Sequence, residues 1–485
     1  MVEFNIATVL TPEIALAALS LILLAIGLLI PAGARKGMMP LTVFSLLGVL
    51  GYTLYDFFYG PEAAFLGGLY MHDQFAIYFK VLFLAAALLV VLSSGGYVQT
   101  LPKHRGEFYS LLLAATLGMM LMAGAGELIT MYVGLELMTI SFYILVAYLA
   151  DDARSAEAGI KYLVLGATSS AVLLYGISLI YGLTGSTQLT EIASKLSGTL
   201  SPAALLATVF LLAGLGFKIS LVPFHLWAPD IYEGAPTPVT AFLAIASKAA
   251  AFAVLIRVYL LTMNSQAFSA TGQTLLFVMA AITMIVGNLI AIPQTNIKRL
   301  LAYSSIAQAG YLMVGIIAES SSGIKGVLFY AMIYVFANMG AFAVATLVAE
   351  KQGSSEIRDL AGLWRRAPLA TVVMTASLLS LAGIPPLAGF VGKFYLFSAA
   401  MDQGYVAIAY IGFVMSMISV YYYLSVVKVM FLAEGEGLPD VPVTGALKFT
   451  MIFTMVRNTK NITWSEPSTR QHCCTTSCCW RAGSV

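Results

Sequence analysis

Four charged side chains lie inside long apolar segments of this chain: Glu136, Lys218, Lys248 and Lys393. A charged group at membrane depth costs about 2.5–3.5 kcal/mol even on the lenient insertion scale. A dry environment disfavours the charged form of a lysine, whereas a nearby carboxylate favours it, so a lysine under both influences can accept and release a proton. The four residues predict a path for protons or other ions. The alternatives are fixed interhelical ion pairs and snorkelling at helix ends.

Glu136 and Lys218 form the most informative pair. If the two are partners, separating them would expel the lysine proton, which would make the pair a switch. Lys218 stands just before an expected helix break, Lys393 stands beside a second break, and Lys248 lies in the middle of a span. We therefore expect the three lysines to form a central row.

Weaker candidates lie near the predicted inner helix ends. Glu157 precedes Lys161 by one helical turn and could be only its surface partner. His225 follows the first broken helix, where it could relay protons or be a hydrogen-bonded loop residue. Asp230 and Glu233, in the same loop, could widen an inner proton entrance or be simply solvated.

Three more lysines, Lys80, Lys325 and Lys428, lie near predicted span ends. Lysine side chains at such positions usually reach towards the membrane surface with their ammonium groups. We therefore expect all three to be interfacial anchors.

The chain carries no sequence motif for an energy source. Gly392-Lys393 lacks the earlier glycine of a phosphate-binding loop, and no nicotinamide or flavin fingerprint occurs. The four histidines are scattered, and no cysteine precedes Arg457, which excludes disulfides, iron–sulfur clusters and thiolate metal sites from the body of the chain. A proton path here must be driven by an ion gradient or by a partner.

The composition predicts an all-α polytopic membrane protein. Hydrophobic residues make up 60% of the chain and charged residues 10%, against about 25% charged in soluble domains. A spanning helix needs about 20 mostly apolar residues, and such stretches recur throughout a single predicted transmembrane domain, residues 1–456. The predicted spans are 12–31, 40–58, 74–95, 107–125, 128–149, 159–183, 203–223, 238–262, 273–293, 297–318, 323–349, 368–400 and 405–432, with a weaker fourteenth at 441–456.

Loop charge predicts the orientation, because cytoplasmic loops are enriched in lysine and arginine. With the N-terminus outside, Lys195 is the basic residue of the outer loops, and Arg257 and Lys325 lie just inside outer helix ends. The basic residues are thus spread over helix ends, not gathered in a patch for nucleic acid. The inner loops then collect Arg35, Lys36, Lys103, Arg105, Arg154, Lys298, Arg299, Lys351, Arg358, Arg365 and Arg366.

Two spans, the seventh and the twelfth, should be broken. Both carry glycine and proline, and proline removes a backbone donor and clashes with the preceding turn. Both also contain a Leu-Ala-Gly-(Leu/Ile) run, at 212–215 and 381–384. Since the two spans are five apart, we predict inverted five-helix repeats of spans 4–8 and 9–13, about residues 107–262 and 273–432. Chance similarity of two flexible helices is the alternative.

Four sequence runs carry a resemblance. QTNIKRLLAYSSIAQAGY at 294–311 resembles the signature of the antiporter-like subunits of respiratory complex I and of multisubunit cation/proton antiporters. LELM at 135–138, EAGIKYLVLGA at 157–167 and FHLWAPDIYEGAPTPV at 224–239 look like the subunit N family of bacterial NADH–quinone oxidoreductase, the counterpart of mitochondrial and plastid subunit 2. The resemblance runs from about residue 10 to residue 440.

This resemblance implies a fold of fourteen helices and a proton-pumping role in a large complex. It implies that functional residues fall on Glu136, Lys161, Lys218, Lys248 and Lys393. NADH, FMN, iron–sulfur clusters and quinone would then be bound by partner subunits, and this chain would hold no cofactor. Its partners would be other membrane subunits and the lipid bilayer of the cell (inner) membrane, with the N-terminus on the periplasmic side.

The C-terminus departs from the family pattern. Lys448 interrupts the last apolar run, and residues 457–485 form a polar tail with all four cysteines. The paired cysteines lack the usual Cys-x-x-Cys metal spacing. We interpret the tail as an aberrant terminus, with a redox or metal-binding tail as the alternative.

The sequence therefore predicts a proton-translocating membrane subunit of a complex I-type enzyme. Protons would load the row of Lys218, Lys248 and Lys393 from the cytoplasm. They would leave outward when a redox-driven partner changes the coupling of Glu136 and Lys218. The alternatives are a subunit of a cation/proton antiporter and a non-conducting membrane scaffold.

Overall fold

A computed structural model shows an all-α membrane protein, and it describes residues 10–29, 37–60, 62–100, 105–149, 151–196, 201–262, 266–435, 443 and 445–459. Within these ranges twelve helices are long and apolar enough to cross a membrane, and Pro368–Ala382 is a shorter apolar helix. The helices of the bundle are α1 (Thr11–Leu29), α2 (Met38–Tyr59), α3 (Gln74–Ser93), α4 (Arg105–Gly124), α5 (Leu128–Val146), α6 (Ala153–Thr184), α7a (Pro202–Ile219), α7b (Trp227–Gly234), α8 (Thr237–Thr262), α9 (Gln266–Ala291), α10 (Ile297–Ile317), α11 (Ser321–Gln352), α12a (Pro368–Ala382), α12b (Ala388–Asp402), α13 (Val406–Leu432) and α14 (Gly445–Thr459).

Polar caps set several helix starts, because the first backbone N–H groups of a helix have no partner within it. Asp152 accepts from Arg154 N before α6, and Ser201 accepts from Ala204 N before α7a. Before α10, Asn296 accepts from the two backbone N–H groups of Lys298 and Arg299. Each cap thus gives a partner to one or two of the N–H groups that a helix start leaves free.

The core of the bundle lies around α8, α10 and α11. The spanning part of α8 is buried along its whole length, and α10 and α11 are buried almost completely. In contrast, most residues of α1, α2 and α13 are not buried within the chain. A two-stranded antiparallel hairpin, β1 (Ala63–Phe65) and β2 (Tyr70–His72), connects α2 to α3.

Both predicted breaks are present and share one local geometry. The residue that caps the end of α7a is Ser220 (φ +66°), and the residue that caps the end of α12a is Gly383 (φ +84°). In each break the next residue donates its N–H to a carbonyl five residues earlier, Leu221 to Gly216 and Ile384 to Leu379, which is the hydrogen bond of a Schellman cap. A cis proline follows in each loop.

The two Leu-Ala-Gly runs, which supported the predicted repeats, do not occupy equivalent places in the two broken helices. Residues 212–215 lie inside α7a, whereas residues 381–384 span the end of α12a. The shared feature is the left-handed cap, which a glycine provides in one helix and Ser220 in the other. The sequence does not reveal this correspondence, because serine has no strong preference for that conformation.

The fourteenth helix forms despite its lysine. Lys448 is exposed on the outside of α14, while Leu447 and Met451 are buried against the bundle. The tail beyond Thr459, with the four cysteines, lies outside the described residues. Its interpretation as an aberrant terminus stays a prediction.

The expected anchor role is wrong for Lys80. Lys325 and Lys428 are exposed, as an anchor requires. Lys80 is completely buried, with Nζ 2.8 Å from Oε1 of Glu13. The hydroxyl of Tyr70 donates to the same oxygen at 2.6 Å. Packing of the N-terminal turn of α1 near α3 supplies the counter-ion, which the local sequence around Lys80 does not reveal.

Candidate functional site

Lys218 lies in the last turn of α7a and is 3% exposed. Its Nζ donates a hydrogen bond to Oγ1 of Thr139 on α5 at 3.2 Å. The ammonium also lies 5.6 Å from the centre of the Phe217 ring. The close partners of this buried cation are thus neutral.

Glu136 lies on α5, three residues before Thr139, and is half-buried. Its Oε1 is buried and accepts no hydrogen bond from the described residues. The carboxylate acts on Lys218 electrostatically. Across the part of the chain that the structure describes, however, no ion pair within 4.0 Å joins Glu136 to a basic side chain. The two predicted partners are therefore neighbours that are not in contact.

Lys248 follows a π-helical segment, Leu243–Ser247, that interrupts α8. Such insertions are rare and occur frequently at functional sites. The side chain is 2% exposed, and its Nζ donates to Oγ of Ser305 on α10 at 2.7 Å. The ring of Tyr232, from α7b, lies 5.9 Å from the ammonium.

Lys393 lies on α12b but binds the end of α12a. Its Nζ donates to the carbonyl oxygen of Ala382 at 3.1 Å and to Oγ of Ser416 at 2.8 Å. The ring of Tyr311 lies 4.4 Å from the ammonium, within the range of a cation–π contact. The side chain is 3% exposed.

A buried polar stripe on α10 connects the surroundings of Lys248 and Lys393. Ser305 binds Lys248, and Tyr311 lies under Lys393. Between them Gln308 donates to the carbonyl oxygen of Leu381 at 2.9 Å. The stripe is completed by hydrogen bonds among Ser304, Gln308, Tyr330 and Tyr423 and among Asn288, Tyr311 and Tyr422.

The weaker candidates Lys161, Asp230 and Glu233 meet in one ionic cluster. Nζ of Lys161 lies 2.6 Å from Glu157 and 3.3 Å from Asp230. Nη1 of Arg299 lies 2.8 Å from Asp230 and 2.9 Å from Glu233. Although burial opposes it, the hydrogen bonds from Arg299 and Lys161 hold the pKa of Asp230 below its usual value. Lys161 is thus not part of the buried row, and its side chain is 43% exposed.

His225 lies in the turn between α7a and α7b and is buried. Burial lowers the pKa of His225, and a hydrogen bond with the Pro223 backbone acts in the opposite direction. Its Nδ1 has no hydrogen-bond partner among the described residues. The ring is therefore neutral at physiological pH, which suits a proton acceptor better than a fixed cation.

Sequence reasoning missed the hydroxyl partners of the row. Thr139, Ser305 and Ser416 come from three different helices, so no local spacing joins them to the lysines that they bind. Ser304 and Ser305 lie within the most specific sequence run of the chain, residues 294–311. This run is the sequence signal that indicated the importance of Ser305.

Known proteins match nearly the whole chain. A family model described as "NADH:quinone oxidoreductase/Mrp antiporter, TM" matches residues 125–419. The chain is 66% identical to NADH-quinone oxidoreductase subunit N of Desulfitobacterium hafniense, over 94% of this chain and 95% of that protein. It is 57% identical to subunit N of Heliobacterium modesticaldum, over 93% of this chain and 94% of that protein. A solved chain of respiratory complex I from Thermus thermophilus with bound aureothin superposes with a TM-score of 0.78 at 36% identity, over 92% of this chain and 95% of that one.

Proposed function

Since this chain belongs to the subunit N family of NADH-quinone oxidoreductase, the antiporter-like, proton-translocating membrane subunits of complex I, we propose that protons cross it along the buried row Lys218, Lys248 and Lys393. Glu136 modulates the proton affinity of Lys218 from its place on α5. Redox chemistry takes place in partner subunits, which hold the cofactors. Movement of those partners drives proton transfer along the row.

The neutral partners of the three lysines carry this proposal. Thr139, Ser305 and Ser416 are hydroxyl groups, which stabilise an ammonium and can equally accept a hydrogen bond from other groups when the lysine loses its proton. Another buried lysine of this chain, Lys80, is paired with a carboxylate at 2.8 Å. Fixed ion pairs therefore do not explain the row.

We further propose that α4–α8 and α9–α13 are inverted repeats. Packing between helices supports it, because each neighbouring pair in one unit has a packed counterpart in the other. The pair α4–α5 corresponds to α9–α10, α5–α6 to α10–α11, α6–α7a to α11–α12a, α7a–α8 to α12a–α13, and α4–α8 to α9–α13. A unit of five crossings reverses direction when it is repeated, so the copies face opposite sides of the membrane.

The same reasoning supports an orientation. Basic residues are concentrated at the ends predicted to be inner, including Lys351, Arg365 and Arg366. Arg257, one of the few basic residues near the outer ends, forms an ion pair with Asp73 at 2.9 Å. Burial alone opposes ionisation of Asp73, but Arg257 holds the pKa of this carboxyl below its usual value. We place the N-terminus outside and the protein in the cell (inner) membrane, as a multi-pass subunit.

Proton pumping in the complex carrying Lys248→Ala tests the proposed row. NADH-driven proton uptake and NADH oxidation are measured together in membrane vesicles, after native electrophoresis has shown intact assembly. Lys351→Ala, which removes an exposed lysine at the inner end of α11, is the control. We expect pumping to fall at least about ten-fold in Lys248→Ala, because loss of a general acid–base group typically costs about 100-fold or more. Unchanged pumping would contradict the row.

A further inference from the structure

A fourth buried lysine, Lys298, lies in the first turn of α10. The side chain is 7% exposed. An ammonium offers three donors, but among the described residues the single hydrogen bond of Nζ goes to the carbonyl oxygen of Ala235, at 2.9 Å. No carboxylate of the described chain lies within 4.0 Å of it, in contrast to its neighbour Arg299, which pairs with Asp230 and Glu233.

The position of Lys298 makes a permanent charge unfavourable. The N-terminal turn of a helix carries partial positive charge, so a cation there is destabilised. The groups that act on it electrostatically are Glu233, Asp152 and Arg154, and none of them is in direct contact.

Lys298 shares one face of α10 with the residue that holds Lys248. Ser305 stands seven residues later, two helical turns, which corresponds to a rise of about 10 Å. Tyr232, on α7b, bridges part of this interval, since its hydroxyl lies beside Ser305 and its ring lies 5.9 Å from Lys248. Tyr232 also stands between Asp230 and Glu233 in the sequence, so α7b connects the ionic cluster to the row.

We propose that Lys298 is the inner loading site of the row, a proton relay between the Asp230–Glu233–Arg299 cluster and Lys248. The inference rests on the proposed function of Lys248. The neutral amine of Lys298 takes a proton from water at the ionic cluster. It then passes the proton, through water and the hydroxyl of Ser305, to the neutral amine of Lys248, and it returns to the uncharged state.

The cluster keeps its charges through this cycle. Arg299 and Lys161 hold the pKa of Asp230 below its usual value, so this carboxylate stays ionised near neutral pH and attracts protons without storing them. Arg299 cannot release its proton at all. Among the groups near the inner end of α10, Lys298 is therefore the buried amine that can change its charge.

Three substitutions separate a relay from a structural role. Lys298→Ala removes both the amine and the bond to Ala235. Lys298→Arg keeps the charge and a donor but does not deprotonate, and Lys298→Gln keeps a neutral donor without titrating. Proton uptake and NADH oxidation are measured in assembled complex, with Lys248→Ala as the reference and Lys351→Ala as the control.

We expect all three Lys298 variants to lose at least about ten-fold in pumping rate, as Lys248→Ala does. Their residual pumping should rise as the inner pH falls from about 8 to about 6, because protons then arrive by water alone. Restoration by Arg or Gln, or residual pumping without this pH dependence, would assign a structural role to Lys298 and overturn the inference. Reduced pumping in Lys248→Ala together with normal pumping in the Lys298 variants would overturn this inference and leave the proposed function standing. Normal pumping in Lys248→Ala would contradict the proposed function itself.

Discussion

Lys393 binds the carbonyl oxygen of Ala382, the last residue of the half-helix that precedes the break in α12, at 3.1 Å. Lys218 lies in the last turn of the corresponding half-helix α7a. The carboxyl end of a helix carries partial negative charge, which stabilises a cation there. In both broken helices, the carboxyl end of the first half-helix thus stabilises a buried ammonium that forms no ion pair with a carboxylate of the described residues.

Ser416→Ala should weaken the hold on the Lys393 ammonium. The serine accepts from Lys393 at 2.8 Å and donates to Ala382 at 2.9 Å, and a charged hydrogen bond contributes about 1.5–3 kcal/mol. We expect pumping to fall at least about five-fold while assembly persists. Ser425→Ala on the same helix is the control, because Ser425 is exposed and donates only to its own helix. Equal rates in the two variants would show that Ser416 is not needed.

Glu136→Gln should remove the electrostatic effect of Glu136 on Lys218, the first lysine of the row. The substitution keeps the shape of the side chain and removes the charge that acts on Lys218 without direct contact. We expect pumping and NADH oxidation to fall together by about ten-fold or more, since a carboxylate near a buried amine shifts its proton affinity strongly. Glu191→Gln, at an exposed glutamate, serves as the control. Normal rates of pumping and NADH oxidation in Glu136→Gln would remove the switch from the mechanism.

Gly389→Ala tests the packing at the second break. A Cβ at Gly389 would lie 1.7 Å from the carbonyl oxygen of Ser380, so α12b must move away from α12a. We expect the purified complex to lose about 2 kcal/mol or more in stability, or to assemble poorly. At Gly182 in α6 a Cβ would meet nothing within 4 Å, so Gly182→Ala should be neutral or stabilising. The melting temperatures of both variants test this prediction. Equal melting temperatures would contradict the close approach of α12b to α12a at Gly389.

His225 predicts a pH dependence of stability. Burial lowers its pKa from the usual 6.5. Between that lowered value and about 6.5 the unfolded chain binds more protons than the folded one, so stability rises with pH in this window. His225→Gln should therefore reduce the gain in melting temperature between about pH 5.5 and about pH 7.5. The same gain in both proteins would show that His225 is not responsible.

The chain sequence predicted most of the helices and the positions of both breaks, because apolar length and proline act locally. It did not predict the contacts of the row. The Glu136–Lys218 pair was expected from residue type and depth, whereas the structure joins Lys218 to Thr139, three residues further along α5. Which of two residues on one helix face meets a partner depends on the axial position of the helix, which sequence periodicity does not determine.

The errors share a physical cause. Lys80 was placed at a surface because it lies near a span end, but α1 brings Glu13 to it and permits its burial. Lys298 was counted only among inner loop charges, although it lies in the first turn of α10 and is buried beneath Ala235. In both cases a segment far away in the sequence sets the environment of the lysine, and the local sequence does not identify that segment.

The most direct test of the proton row is Lys218→Ala, because Lys218 joins the row to Glu136. Proton uptake and NADH oxidation are compared in vesicles with the assembled complex, beside Lys325→Ala, which removes an exposed lysine. A proton path through Lys218 predicts that both rates fall at least about ten-fold in Lys218→Ala and stay normal in the control. Normal rates of both processes in Lys218→Ala would show that Lys218 is structural and would contradict the row.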